Sequence, residues 1–483
     1  MEGQRDFALE EATIAELGSM LDEGSASARS LAEAYLERIE QLDGSLDSVI
    51  EVNPEALDIA DAMDRERREG RVGGLLHGIP VMVKDNIATS DRMRTTAGSL
   101  AMRDARPPRD AAVVHRLREA GAVLLAKTNL SEWANFRSER SSSGWSAVGG
   151  QCHNPYVLDR NPCGSSSGSA VVVAANLCAA AIGTETDGSI ACPSSISGIV
   201  GIKPTHGLVD GDGIVPVSHT LDTAGPMART VADAATMLAA IAGTAPEEVT
   251  RTGVRGARLG VARNMAGFHP RVDAVFEDAL AALHGLGAEL VDPADVPHAT
   301  ELEEPELEVM LYEFKTDLEA YLASLGGEAP RMLAELIAFN EAHRDEEMPF
   351  FGQELFEKAQ ERGPDTEPAY REALATCGRL AREEGLDVVL SERRLDAIVA
   401  PTNAPAWLTD HVNGDHYVGG NSSPAAIAGY PSITVPMGFV AELPVGISFI
   451  GGPRREAALI AFAATFEQAT SHRRVPRFLP TLG

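Results

Sequence analysis

The run His77-Gly78-Ile79-Pro80-Val81-Met82-Val83-Lys84-Asp85-Asn86 interrupts a helical opening with a different texture. A Gly/Pro break precedes a short β-branched stretch, the pattern of a buried strand. Just downstream, Val113–Ala120 reads as a helix and Ala122–Ala126 as the next strand. Strand alternating with helix predicts an α/β fold whose sheet is covered on its faces. Upstream, Thr13-Ile14-Ala15-Glu16-Leu17 opens with a capping box, Thr followed by Glu three residues later. Arg29–Leu42 sets Leu31, Ala34, Tyr35, Ile39 and Leu42 on one helical face, and Ala56–Arg68 gives a third helix.

Farther along, residues 143–170 are rich in Gly, Ser, Asn and Pro and read as loop. Ala170–Ala181 is small and apolar, which predicts a tightly packed helix. Glu301–Glu384 is helical and charged, with Leu307, Met310, Leu311 and Phe314 on one stripe. It reads either as a surface helix pair or as a cap over the site. Strand texture returns at Ala397–Ala400, Ser432–Val435 and Gly446–Ile450. No repeat or interdomain linker interrupts the chain. The expected organisation is one large α/β domain over 1–483. It divides into N-terminal helices (1–70), a catalytic core (71–300), a helical insertion or cap (301–395) and the remaining core (396–483).

Composition narrows the function classes. The 483 residues are 44% apolar, enough for a substantial core, and no stretch is long and apolar enough to span a membrane. The net charge of −30 opposes binding to nucleic acid or an anionic membrane, because polyanion binding rests on Lys and Arg. Met1-Glu2-Gly3-Gln4-Arg5-Asp6 lacks a signal-peptide pattern, so a cytoplasmic location is expected. Cys152, Cys163, Cys178, Cys192 and Cys377 form no C-x-x-C pair and are expected as buried thiols, with no metal site. Only five of 41 basic residues are lysine (Lys84, Lys127, Lys203, Lys315, Lys358), so a lysine in an apolar run stands out.

Two serine-rich stretches carry the chemistry. Asn161-Pro162-Cys163-Gly164-Ser165-Ser166-Ser167-Gly168-Ser169 is followed by Gly183-Thr184-Glu185-Thr186-Asp187-Gly188-Ser189-Ile190. A serine hydroxyl attacks a carbonyl only when a base takes its proton. Lysine in water is protonated at neutral pH, but burial disfavours the charged form. Lys84, directly after Val81-Met82-Val83, has such a context. The developing oxyanion needs backbone N–H donors, which the Thr186–Ser189 turn can supply.

These segments resemble the amidase signature. The similarity rests on Gly78-Ile79-Pro80 with Lys84-Asp85-Asn86, Lys127-Thr128-Asn129, Cys163–Ser169, Thr186-Asp187-Gly188-Ser189, Gly201-Ile202-Lys203-Pro204-Thr205 and Leu443–Ile447, in order. The peptide amidase subgroup is most similar, through Leu130–Arg137 and Ser143-Gly144-Trp145-Ser146. The resemblance implies the amidase signature fold, a mixed sheet with helices on both faces, and a Ser-Ser-Lys triad. Lys84 matches the base, Ser165 a bridging serine held by a cis peptide bond, Ser189 the nucleophile and Ser166 a supporting serine. The oxyanion donors would be backbone N–H groups of Thr186, Asp187, Gly188 and Ser189. Cys163 departs from the usual first glycine of the serine loop. Asp187 departs from a more frequent glycine and either puts negative charge near the site or caps a turn. Trp133, Ala134, Asn135 and Trp145 are candidates for the acyl-side pocket.

The implied reaction hydrolyses an amide through an acyl-enzyme, without metal or cofactor, on a small or peptide amide. Neither nucleic acid nor membrane is expected as a partner, and the chain would act as a monomer or homodimer. Related enzymes take aryl amides, carbamates and esters. An amidotransferase A-type subunit, releasing ammonia from glutamine, is an alternative. So is a Ser-His-Asp hydrolase with Ser166 in Gly164-Ser165-Ser166-Ser167-Gly168 and a base among His206, His219, His411 and His416, although turn material rather than a strand precedes that motif.

Overall fold

The computed structural model describes residues 9–244 and 253–483. Its centre is an eleven-stranded sheet. From one edge the strands are Val49–Val52, Val123–Thr128, Pro80–Lys84, Ala180–Glu185, Thr223–Ala228, Val200–Lys203, Ser432–Val440, Leu443–Ile450, Ala397–Pro401, Arg258–Val261 and Glu289–Val291. Parallel and antiparallel pairs are mixed. Central strands such as Val123–Thr128 and Ala180–Glu185 are buried at every position, which is why they read as continuous apolar runs rather than alternating ones. Helices cover the sheet. Ala28–Leu42, Ser167–Ala174, Val231–Ala242, Pro270–Gly285 and Glu456–Thr470 all feed the apolar cluster that contains Val81, Leu124 and Ile182.

The topology places chemistry at one sheet edge. Pro80–Lys84 and Ala180–Glu185 run parallel, with Val83 opposite Ile182. Their carboxyl ends therefore lie side by side, the usual place for a ligand site in such sheets. Thr223–Ala228 runs antiparallel, with Thr223 opposite Glu185, and so delivers Asp222 to the same edge.

Three early helices appear as read, including the Thr13–Glu16 capping box and the Ala56–Arg68 span. The expected Ala170–Ala181 helix does not. The helix is Ser167–Ala174, Asn176 turns the chain at φ 60°, and Ala180 already begins a strand. Small apolar residues fit both a buried helix and a buried strand, so their run conceals the boundary. The Glu303–Ser324 helix buries Leu311, Phe314 and Leu318 against Trp133, Phe136 and Phe356, with Leu307 and Met310 at the cluster's edge. The stripe thus packs against both the Trp133–Phe136 turn and the neighbouring helices Leu333–Ala342 and Glu354–Gln360. No helix among the described residues is long and apolar enough to cross a membrane.

Candidate active site

Lys84 ends its strand fully buried. Its Nζ lies 2.7 Å from Ser165 Oγ, 2.9 Å from Thr184 Oγ1 and 3.4 Å from the Thr184 carbonyl. Burial lowers its pKa to about 7, against the opposing charges of Asp222 and Glu185. Asn86 Nδ2 donates to Thr184 Oγ1 at 3.0 Å, leaving the amine ringed by hydroxyls and a carbonyl, without an ion-pair partner among the described residues. The Gly164–Ser165 peptide is cis, as the resemblance implied for a bridging serine. The Ser165 carbonyl accepts from Ser131 N–H at 3.0 Å.

Ser166 ties the two serine stretches together. Its hydroxyl donates to the Thr184 carbonyl at 2.9 Å and accepts from Thr184 N–H at 3.1 Å. Its own N–H donates to the Ser189 carbonyl at 3.2 Å. A Cβ at Gly183 would stand 2.7 Å from Ser166 Oγ, so that strand residue must be glycine for the hydroxyl to sit there. Ser166 is hydrogen-bonded to no histidine among the described residues, which removes the basis for the Ser-His-Asp reading.

The turn into Ser189 is pinned from below by Glu185, whose carboxylate accepts Ile190 N–H at 2.7 Å and Ala191 N–H at 2.9 Å. Gly188 takes φ +75°, and a Cβ there would meet Ser422 Oγ at 2.9 Å. The backbone N–H groups of Asp187, Gly188 and Ser189 have no acceptor among the described residues. A row of free donors beside a serine is what an oxyanion requires.

The amidase family profile matches residues 30–460. This chain belongs to the amidase family. A probable amidase of Arabidopsis thaliana is 40% identical over 98% of this chain and 93% of its own length. The native peptide amidase of Stenotrophomonas maltophilia is 48% identical, with a TM-score of 0.90 over 97% of this chain and 99% of its own. The A-type subunit of the glutamyl-tRNA(Gln) amidotransferase of Halorhodospira halophila is 35% identical over 96% of this chain and 98% of its own length. The protein is thus an amidase-family hydrolase with a peptide-amidase-like structure.

A cavity of about 340 Å³ opens beside the amidase's serine turn, lined by Asn135, Ser143, Gly164, Asp187, Trp407 and Tyr417 among others. A second, of about 570 Å³, meets Asn86, Thr184, Thr186, Asp222 and Ala134. Of the expected pocket residues, Asn135 therefore faces the first cavity and Ala134 the second. Trp133 and Trp145 line neither. Trp133 packs edge-on to Phe356 in the core, and Trp145 packs against Phe350 and Phe351. Trp133, Ala134 and Asn135 all have positive φ (50°, 56° and 69°), a strained run that aims Asn135 into the cavity wall. Asn135 Oδ1 is buried and has no donor among the described residues. Sequence reading missed Thr184, Asn86 and Asp222 as neighbours of the amine. The parallel pairing of the two strands, with Val83 opposite Ile182, is what brings their ends together.

Cysteine usage also departs from expectation. Cys163 and Cys192 form a disulfide, while Cys152, Cys178 and Cys377 are buried free thiols. Sequence spacing hid the pair because the cysteines lie 29 residues apart, one in the serine loop and one in the Ala191–Ile196 helix, and only the fold brings them together. The bond joins the residue before Gly164 to the helix that follows Ser189. Such bonds persist in oxidising compartments, so it lends the cytoplasmic expectation no support. Replacing both cysteines with serine is expected to cost roughly 3–4 kcal/mol, from the loop entropy released to the unfolded chain. Urea unfolding of the two proteins measures it, and equal midpoints would show that the bond contributes nothing.

Proposed function

We propose that this amidase hydrolyses carboxylic amides, C-terminal peptide amides foremost, through an acyl-enzyme on Ser189. The observation that carries the reading is the buried Lys84 amine 2.7 Å from Ser165 Oγ, with Ser166 joined to Ser189 in the adjoining turn. Uncharged Lys84 accepts a proton from Ser165, which accepts one from Ser189 as its oxygen attacks the carbonyl. N–H groups of the Thr186–Ser189 turn receive the oxyanion. The protons return along the same path to the leaving nitrogen, the C–N bond breaks, and ammonia departs. Water then attacks the acyl-enzyme and regenerates Ser189. Asn135 Oδ1 accepts an N–H of the bound peptide in the smaller cavity.

The likeness to peptide amidase supports the choice of substrate, and the concave wall of Asn135, Trp407 and Tyr417 suits a peptide end. A panel of C-terminally amidated dipeptides, anilides, carbamates and glutamine tests it by kcat/KM. Amidated dipeptides are expected to exceed anilides and carbamates by about tenfold or more. The 35% identity to an amidotransferase A-type subunit makes glutamine hydrolysis the second reading. Faster turnover of glutamine than of any amidated peptide would replace the first reading with the second.

A further inference from the structure

The smaller cavity beside the serine turn has an anionic wall. Asp187 and Asp415 both line it, with Trp407 and Tyr417, and among the described residues no Lys, Arg or His does. Asp415 Oδ2 accepts from Ser143 N–H at 2.9 Å and its Oδ1 from Asn161 Nδ2 at 3.3 Å, so neutral donors hold it. Asp187 Oδ2 accepts from Ser423 Oγ at 2.6 Å, and its buried Oδ1 has no donor among the described residues. Neither carboxyl group pairs with a Lys or Arg among those residues. His411 feels the charge of Asp415, but burial holds its pKa below the ordinary value and its ring stacks on Phe350 at 3.9 Å. Lys203 acts on Asp187 from its strand without lining the cavity. A wall of this kind complements a cationic ligand.

Two aromatic side chains complete it. The Trp407 and Tyr417 rings meet edge to face, with centroids 5.7 Å apart and planes at 72°. Aromatic faces attract a desolvated ammonium. Trp407 is 6% exposed, and its Nε1–H has no acceptor among the described residues. A buried indole N–H normally finds a partner, so an unmatched one on a cavity wall marks a place for a ligand's acceptor. The cavity, of about 340 Å³, also touches Gly164 and Gly188, the neighbours of Ser165 and Ser189. A substrate whose amide reaches Ser189 can extend into it. An ammonium and a carbonyl stand side by side at one place in every unblocked peptide, its first residue.

We propose that Asp415, with Trp407 and Tyr417, forms a subsite for a positively charged amine on the acyl side of the substrate, foremost the α-ammonium of a short peptide amide. The inference rests on the reading of this protein as a peptide-amide hydrolase and adds the charge its substrate carries. Asp415 and Asp187 supply the opposite charge, the two rings flank the ammonium, and Trp407 Nε1–H donates to the carbonyl of the same residue. Asp187, an aspartate where glycine is more frequent, then serves the site beyond capping a turn.

The test measures four C-terminally amidated dipeptides. One pair differs in a free or N-acetylated amino terminus. The other pair is N-acetylated and carries lysine or norleucine at its first position. Calorimetry on the Ser189→Ala protein at about pH 6.5, where the amines are protonated, gives dissociation constants without turnover. The charged member is expected to bind about tenfold more tightly than its neutral counterpart. A preference in the first pair assigns the α-ammonium, one in the second a lysine side chain, and either supports the subsite. Adding Asp415→Asn is expected to bring the ratio to about twofold or less. Asparagine keeps an acceptor for Ser143 N–H, and Asn161 Nδ2 keeps the Ser143 carbonyl at 2.8 Å. Equal affinities within both pairs, or a preference unchanged by Asp415→Asn, would overturn the proposal. Should that variant not fold, salt decides, because screening should shrink the ratio between about 0.02 and 0.5 M and a constant ratio would overturn the proposal. Wild-type hydrolysis of the acetylated norleucine peptide, abolished by Ser189→Ala, reports separately on the amidase reading.

Discussion

Ser189→Ala is expected to lower kcat on an amidated peptide by about 10⁴-fold or more, at unchanged stability. No neighbouring hydroxyl can take over. Ser166 Oγ is spent on both the N–H and the carbonyl of Thr184, at 3.1 and 2.9 Å. Ser165 Oγ is held 2.7 Å from Lys84 Nζ, in the position of a relay rather than an attacking atom. The substitution removes one oxygen from a residue that is 7% exposed, and no hydrogen bond from its hydroxyl supports the fold among the described residues. The turn's free N–H groups remain, so substrate should still bind, and the small residual rate would come from them. Single-turnover kinetics, with a thermal melt of each protein, measure both quantities. A variant that kept kcat within tenfold of the wild type would remove Ser189 from the reaction.

How far the sequence discloses this site is best seen in its lysines. Lys84 follows Val81-Met82-Val83, and Lys127 follows Val123-Leu124-Leu125-Ala126, so each stands at or next to the end of an apolar strand and both are fully buried. Desolvation lowers both pKa values. An argument from apolar context alone would nominate either. What separates them is three-dimensional. Lys127 Nζ donates to the Ile87 carbonyl at 2.6 Å and Thr95 Oγ1 at 2.8 Å, and it feels the charge of Asp85. Lys84 alone meets a serine hydroxyl of the Gly-Ser-Ser loop. The ordered motifs single out Lys84 because they span many residues that meet in the fold, whereas a single strand cannot separate the two lysines. Locally coded features, such as the Thr13 cap and the Pro80–Lys84 strand, were legible for the same reason. Contacts between distant segments were not. The Cys163–Cys192 bond and the withdrawal of Trp133 and Trp145 into aromatic clusters each depend on segments that meet only in the folded chain.

Lys84→Ala is expected to lower kcat/KM at neutral pH by about 10³–10⁴-fold, and Lys84→Arg by as much. The base must be an uncharged nitrogen. Arginine keeps its proton at any working pH, so size and hydrogen bonding would be partly restored without basicity. The same requirement fixes the pH dependence. Lys84 has a pKa of about 7, lowered chiefly by burial, and its active form is the deprotonated one. Wild-type kcat/KM should therefore be low in acid, rise as pH climbs through about 7, and level off once the amine is neutral. Asp222 and Glu185 act in the opposite direction, since their negative charge favours the ammonium. Asp222→Asn should consequently shift the rise toward lower pH, because it removes an anion that holds the proton on Lys84. Thr184 Oγ1 retains Asn86 as a donor when Lys84 is truncated, so alanine there strands no buried charge and the fold should persist. Initial rates on one amidated dipeptide between about pH 5 and pH 9 measure the limb. A flat wild-type profile across that range, or a Lys84→Ala enzyme with full neutral-pH activity, would mean that some other group takes the proton from Ser189.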